Sequence, residues 1–228
     1  MPITNNKPSN AKVMLPNEQS KVPFSVVESY KNVRTNIISV LSKTRKNVLA
    51  IASPNPSEGK STTSINLAIT LAQLNKKVVL IDSDSRRPSI HKKLKLENKL
   101  GCADILTNAC TIEQSIIHYN DYLDIICCGS RVKNPSELFS SESFDDLIDN
   151  LRVSYDYVII DTPPINPVSE TLIIAQKCEA LVMVIRLGST SFEEFEKAYN
   201  SCRVLDIDVA GVIMNDSGSG KKFIYKNH

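Results

Sequence analysis

The chain has 228 residues, 42% of them hydrophobic, which suffices for one sizeable core and makes a single main domain the expectation. Its 27 basic and 25 acidic residues nearly cancel to a formal charge of +2, so bulk charge gives nucleic-acid binding no support. Six cysteines without a C-x-x-C spacing indicate neither a zinc site nor a disulfide framework, and no apolar run approaches the roughly 18 residues a bilayer span needs, so a cytosolic protein with reduced, mostly buried thiols is expected.

Residues 1–22 are polar, with scattered Pro, Asn, Ser and Lys and no periodicity, and read as a disordered lead before a domain spanning 23–216. In 25-SVVESYKNVRTNIISVL-41 the apolar residues recur at helical spacing, and Ser25 with Glu28 forms the pattern of a capping box. Six short apolar runs follow, at 47–53, 77–83, 122–128, 157–162, 180–186 and 209–215. They are continuously apolar rather than alternating, as suits strands covered on both faces. Helical patterns lie between them, including 63–74, 141–153 and 191–205, the last opened by a second capping box, Ser191 with Glu194. This alternation predicts an α/β fold, a doubly wound, mainly parallel sheet with helices on both faces. Residues 217–228 read as a flexible tail.

Between the first strand and the next helix stands 53-SPNPSEGKST-62. Gly-Lys-Ser alone is a weak signal, but here it leaves a strand and opens a helix, where backbone N–H groups and the helix dipole converge on phosphate. In that setting Lys60 would reach the β- and γ-phosphates of a nucleotide, the Ser61 hydroxyl would ligate Mg²⁺, and Gly59 would let the backbone close on the anion. The common G-x-x-x-x-G-K-[ST] pattern wants glycine at 54, where this chain has Pro54, and Ser57 stands where a second glycine would help. A plain strand-to-helix turn with a solvated lysine is the alternative. Two acidic strand ends, 79-VLIDSDSRRP-88 and 158-VIIDTPP-164, weigh against it, because ligands in such sheets sit at the C-terminal ends of strands. Asp161 with Ser61 can hold the metal, which leaves Asp82 or Asp84 as a base or second metal contact.

With these motifs in place, the chain resembles the deviant P-loop ATPases, and within them the bacterial tyrosine kinases of capsule and exopolysaccharide synthesis, over roughly residues 25–216. The resemblance rests on 53-SPNPSEGKST-62 with Asn66-Leu67-Ala68, on 81-IDSDSRRPSIH-91, on 159-IIDTPP-164 and on 28-ESYKNVRTNI-37. It implies a P-loop NTPase fold and transfer of the ATP γ-phosphoryl group to tyrosine. Ser57, Glu58, Gly59, Lys60, Ser61 and Thr62 would then bind ATP, with Asn215 against the adenine. Ser61, Asp82 and Asp161 would hold Mg²⁺, and Lys60, Asp82 and Asp84 would serve catalysis, with Asp82 the first choice and Asp84 the second for orienting or deprotonating the tyrosine hydroxyl. Glu28, Lys31 and Arg34 match an E-x-x-R-x-x-R helix associated with packing subunits into a ring, with Lys31 in place of an arginine.

The family's loop form, S-x-x-P-x-E-G-K-S/T, accommodates Pro54, and Asn55 stands where septum-positioning and DNA-partitioning relatives carry a signature lysine. The same resemblance implies three partners: other copies of the chain, a cognate tyrosine phosphatase, and a membrane-bound chain-length regulator acting as activator. The chain is expected to be the soluble kinase half of a split system, cytoplasmic and recruited to the inner membrane face. The tail holds one tyrosine, Tyr225, rather than a cluster, and it is the expected phosphoacceptor. An ATP-dependent dimerisation switch without kinase activity is the main competing function, and an interaction scaffold with a degenerate site is a third. The run Arg86, Arg87, His91, Lys92, Lys93 and Lys95 reads as a solvated helix face, with Arg86 near enough to touch the acidic motif.

Overall fold

The computed structural model describes residues 24–42 and 47–215. Along the chain the elements are α1 (Phe24–Ser42), β1 (Val48–Ala52), α2 (Lys60–Ala72), β2 (Val78–Asp82), α3 (Ile90–Leu94), α4 (Cys102–Leu106), α5 (Ile112–Ser115), β3 (Ile116–Asn120), β4 (Leu123–Ile126), α6 (Pro135–Phe139), α7 (Glu142–Ser154), β5 (Tyr157–Asp161), α8 (Glu170–Lys177), β6 (Ala180–Arg186), α9 (Phe192–Val204) and β7 (Val209–Asn215). The strands form one sheet in the order β3-β4-β2-β5-β1-β6-β7. Every pairing is parallel except β3 with β4.

The six apolar runs are strands because both faces of the sheet are covered. Leu49 and Ile51 of β1 point into one core with Ile65, Leu67 and Leu71 of α2, while Val48 joins Phe144, Leu147 and Leu151 of α7 on the other face. Neighbouring residues of one strand thus enter opposite cores, and alternation disappears from the sequence. Helix α1 lies outside α2, burying Ile37 and Leu41 against the first core.

The strand order sets up the site. Strand β5 sits between β1 and β2, so the crossovers from β1 to β2 and from β4 to β5 bring the ends of β1, β2 and β5 side by side. In register, Asp161 pairs with Ile51 on one side and with Asp82 on the other. Two carboxylates far apart in sequence therefore become lateral neighbours beside the loop that leaves β1.

Two expectations are corrected. Helix α1 begins at Phe24, so Ser25 lies within it: its carbonyl accepts from Ser29 Oγ and Glu28 turns to Lys31. A seventh strand, β3, was not expected, because 116-IIHYN-120 is short, half-exposed and directly follows the helical turn α5. It pairs antiparallel at the sheet edge, where one covered face suffices. The Ser191–Glu194 box forms as expected, with Glu194 N–H donating to Ser191 Oγ and Ser191 N–H to Glu194 Oε2. The expected lead and tail, Tyr225 included, lie outside the described residues.

Phe144 is fully buried and meets Phe139 edge to face at 5.3 Å. Phe144→Ala is expected to lower the unfolding free energy by about 3–5 kcal/mol, read by urea denaturation, through lost transfer energy and the cavity left behind.

Candidate active site

The loop between β1 and α2 is shaped by two left-handed residues, Ser57 at φ +66° and Gly59 at φ +100°. Pro54 is not one of them, which explains how the chain does without glycine there: the backbone requirement falls at 57 and 59. Ser53 and Pro54 carbonyls accept from the N–H groups of Ile165 and Asn166, tying the loop to the segment after β5. Helix α2 then starts at Lys60, and its first regular bond is Thr63 N–H to the Gly59 carbonyl. The N–H groups of Lys60, Ser61 and Thr62 precede any carbonyl of their own helix and converge at its positive end.

Glu58 holds this loop from behind. Its side chain is buried, and its two oxygens accept from Asn55 N–H at 2.8 Å and Thr190 Oγ1 at 2.6 Å. Thr190 in turn accepts from Arg186 N–H, so the turn after β6 is part of the brace. Asn215, the last residue of β7, donates from Nδ2 to the Glu58 carbonyl at 3.0 Å and lies over Gly59, where any Cβ would collide with it. Asn55 points away toward Asn166, which also donates to the Glu194 carbonyl.

A cavity of about 590 Å³ opens above the loop. Ser57, Gly59, Lys60, Ser61, Thr62, Asp84 and Asn215 line it, whereas Glu58, Asp82 and Asp161 stand behind its wall. Lys60 Nζ lies 3.1 Å from Asp84 Oδ2 and 3.5 Å from Asp161 Oδ2, all three groups being almost or fully buried. Burial acts to lower the Lys60 pKa, but the carboxylates of Asp161, Asp84 and Asp82 outweigh it and hold the ammonium above its usual value.

Asp161 accepts from Ser64 Oγ at 3.0 Å, and the Ser61 hydroxyl also favours its charged form, yet burial pushes its pKa upward. Asp82 is sealed: one oxygen accepts from Asp84 N–H and the other from the N–H groups of Ser89 and Ile90. Burial and the nearby charge of Asp161 push Asp82 up to about 7 despite those bonds.

The expectation of a solvated basic face holds in part, since Arg86, Arg87, Lys92 and Lys95 are exposed, but Arg86 meets Glu170 rather than the acidic motif, and part of the run turns to the cavity. Asp82 captures the N–H groups of Ser89 and Ile90, which turns the 85–89 loop back to the end of β2, so that it lines the same cavity as the phosphate loop. Arg86, Arg87 and Lys93 consequently line the cavity. Lys93 Nζ donates to Thr62 Oγ1, and Arg86 forms a two-nitrogen contact with the buried Glu170. Thr190 and Glu170 carried no motif that could have marked them beforehand. Glu28, Lys31 and Arg34 lie apart on α1, where Glu28 pairs with Lys31 and Arg34 donates to the Thr70 carbonyl of α2.

A protein-family model described as an AAA domain matches residues 35–207. The tyrosine-protein kinase YwqD of Bacillus subtilis is 39% identical over 197 residues, covering 86% of this chain and 81% of that protein. CpsD, a tyrosine-protein kinase of Streptococcus pneumoniae, is 35% identical over 201 residues, covering 86% and 88% respectively. The chain belongs to the bacterial tyrosine-protein kinases. The solved kinase domain of the Escherichia coli tyrosine kinase ETK superposes with a TM-score of 0.81 at 28% identity, covering 89% of this kinase and 81% of that chain. Against the Acinetobacter johnsonii tyrosine-protein kinase ptk, 37% identical, this kinase spans only 26% of the longer protein. A plasmid partition protein from Borrelia burgdorferi shares the fold, with a TM-score of 0.58 and 23% identity.

In this kinase, hard oxygen donors meet a cation at one point: the Ser61 hydroxyl and the Asp161 carboxylate adjoin each other with the Lys60 ammonium beside them. That donor set fits Mg²⁺. The sign of the Asp82 shift gives a pH test. A carboxyl whose folded pKa of about 7 exceeds its unfolded value of about 3.9 binds more protons in the native state, so its contribution is complete below pH ~4 and is lost as pH rises toward 7. Asp82→Asn is expected to flatten the decline in unfolding free energy between pH 5 and 7.5, measured by urea denaturation. Gly59→Ala forces a side chain into the φ +100° position and against Asn215, and at least tenfold weaker ATP binding by calorimetry is expected.

Proposed function

We propose that this kinase transfers the γ-phosphoryl group of ATP to tyrosine hydroxyls, chiefly on other copies of itself, in the control of capsular or exopolysaccharide assembly. The reading is carried by one observation: Lys60, held between Asp84 and Asp161 at the start of α2, presents a buried cation at a cavity whose floor is a row of helix N-terminal N–H groups. Such an arrangement offsets charge on the β- and γ-phosphates and positions them, which is most of what phosphoryl transfer requires.

Ser57, Gly59, Lys60, Ser61 and Thr62 cradle the phosphates, Glu58 keeps the loop in shape, and Asn215 borders the site from β7 toward the adenine. Ser61 and Asp161 would hold Mg²⁺, which when bound would offset negative charge on the phosphates. Among the described residues Asp84 is the acidic side chain that reaches the cavity, and it accepts the phenolic proton as the tyrosine oxygen bonds to the γ-phosphorus and the bond to ADP breaks. Asp82, the first choice from the sequence for that role, is sealed behind the cavity and instead fixes the 85–89 loop through the N–H groups of Asp84, Ser89 and Ile90. The phenol, with a reference pKa of about 10, needs such a base at neutral pH.

Glu28, Lys31 and Arg34 on α1 would join subunits in a ring that brings one tail, with Tyr225, to the next active site. Phosphorylation there adds charge and loosens the packing. The activator is a membrane-bound chain-length regulator that recruits the kinase to the inner membrane face, and a tyrosine phosphatase reverses the reaction.

The purified chain incubated with labelled ATP, with and without the regulator's cytoplasmic tail, should acquire acid-stable label on tyrosine. Lys60→Met is expected to reduce that label at least a hundredfold, and undiminished labelling would refute the assignment. Tyr225→Phe should remove most self-labelling, while persistent label would move the acceptor elsewhere. Hydrolysis of ATP with no phosphotyrosine would mark a dimerisation switch instead.

A further inference from the structure

A second cavity, of about 580 Å³, lies on the other side of the 85–89 loop. It shares Arg86, Arg87 and Ser89 with the ATP cavity, so the two are separated by a single strip of chain. Its far wall is the segment leaving the C-terminal end of β4, Cys128 to Arg131, and its rim carries Lys92. Among the described residues, no acidic side chain lines it. The carboxylates nearby are already committed: Asp104 accepts from the N–H groups of Gly101 and Ser130, Glu170 holds Arg86, and Asp84 pairs with Lys60 while accepting from Arg87 N–H.

Arg87, Lys92 and Arg131 are exposed, and among the described residues none has a carboxylate within ion-pair distance. His91, also lining the cleft, leaves its buried Nδ1 without a hydrogen-bond partner. Burial, and to a lesser degree the adjacent Lys92 charge, hold the His91 pKa below its usual value.

We propose that this cleft is the acceptor-side subsite of the kinase and selects protein substrates whose tyrosine is flanked by acidic residues. The inference rests on the kinase reading and extends it to substrate class. A peptide entering from the cleft side with its tyrosine over Arg86 and Arg87 would lay neighbouring aspartates or glutamates on Lys92 and Arg131. Charge complementarity of this kind sets partner choice more than raw affinity. The chain's own tail is a poor match: Lys221, Lys222 and Lys226 surround Tyr225. That tyrosine must be brought to the site by assembly of subunits rather than by this cleft, whereas separate acidic substrates would use it directly.

The test compares two synthetic peptides with one tyrosine each, flanked by glutamates in one and by lysines in the other, on the full chain and on the Lys92→Glu/Arg131→Glu variant. The wild type should phosphorylate the acidic peptide with a KM about tenfold lower than the basic one, and the variant should lose or reverse that preference with kcat and ATP hydrolysis unchanged. Lys92→Gln/Arg131→Gln should fall between the two. Equal KM values for both peptides, or a preference untouched by charge reversal, would overturn the inference while leaving the kinase assignment intact. Fluorescence anisotropy of the acidic peptide with phenylalanine in place of tyrosine, without ATP, reads the cleft apart from catalysis. Binding that weakens about tenfold in the variant and with added salt supports the cleft even if no transfer is seen, and absence of binding refutes it.

Discussion

A buried ammonium shared by carboxylates is the constraint on which the site depends. Lys60 is taken out of water at the start of α2, and only the charges of Asp84 and Asp161, with Asp82 behind them, make that tolerable. The carboxylates depend on the lysine in the same way, because three acids at the ends of two adjacent strands would otherwise repel in a dry environment. Backbone N–H groups supply the remainder. Asp82 satisfies itself with the N–H groups of Asp84, Ser89 and Ile90, and in doing so turns the 85–89 loop back so that it lines the same cavity as the phosphate cradle. One electrostatic need therefore places Arg86 and Arg87 between the nucleotide cavity and the basic cleft beside it.

Around this centre the loop is held from outside rather than from the ligand side. Glu58, an acidic residue in a phosphate-binding loop, would be a liability if it faced the anion; sealed behind the loop, it satisfies Asn55 N–H and Thr190 instead. Asn215 links the far edge strand to the same loop through the Glu58 carbonyl. These contacts keep the N–H groups of the cradle oriented before nucleotide arrives, so little reorganisation is left for the moment of reaction. Ser57 in the left-handed region is tolerated because its neighbours are pinned on both sides, with Arg186 also donating to its carbonyl.

Much of this was legible beforehand for identifiable reasons. Strands buried on both faces leave continuous apolar runs, and Ser191 with Glu194 announces a helix start through reciprocal hydrogen bonds. Gly59-Lys60-Ser61 and the strand-end aspartates mark phosphate chemistry because few other residue types can do that work. What stayed hidden was long-range: Thr190, Glu170 and the inward course of the basic residues depend on contacts across as many as 132 positions. The edge strand β3 escaped because a half-exposed strand of five residues has too little pattern to stand out from its surroundings.

The sequence by itself determined the kind of fold, the phosphate loop, its membership among the tyrosine kinases and the set of charged residues available for chemistry. These follow from local patterns, in which each residue's type answers to its near neighbours. Only the tertiary structure decided which aspartate reaches the cavity and which is sealed, since Asp82 and Asp84 are two residues apart and chemically identical. The difference lies in where a strand crossing and a returning loop place the backbone N–H donors, and that depends on the order of strands in the sheet.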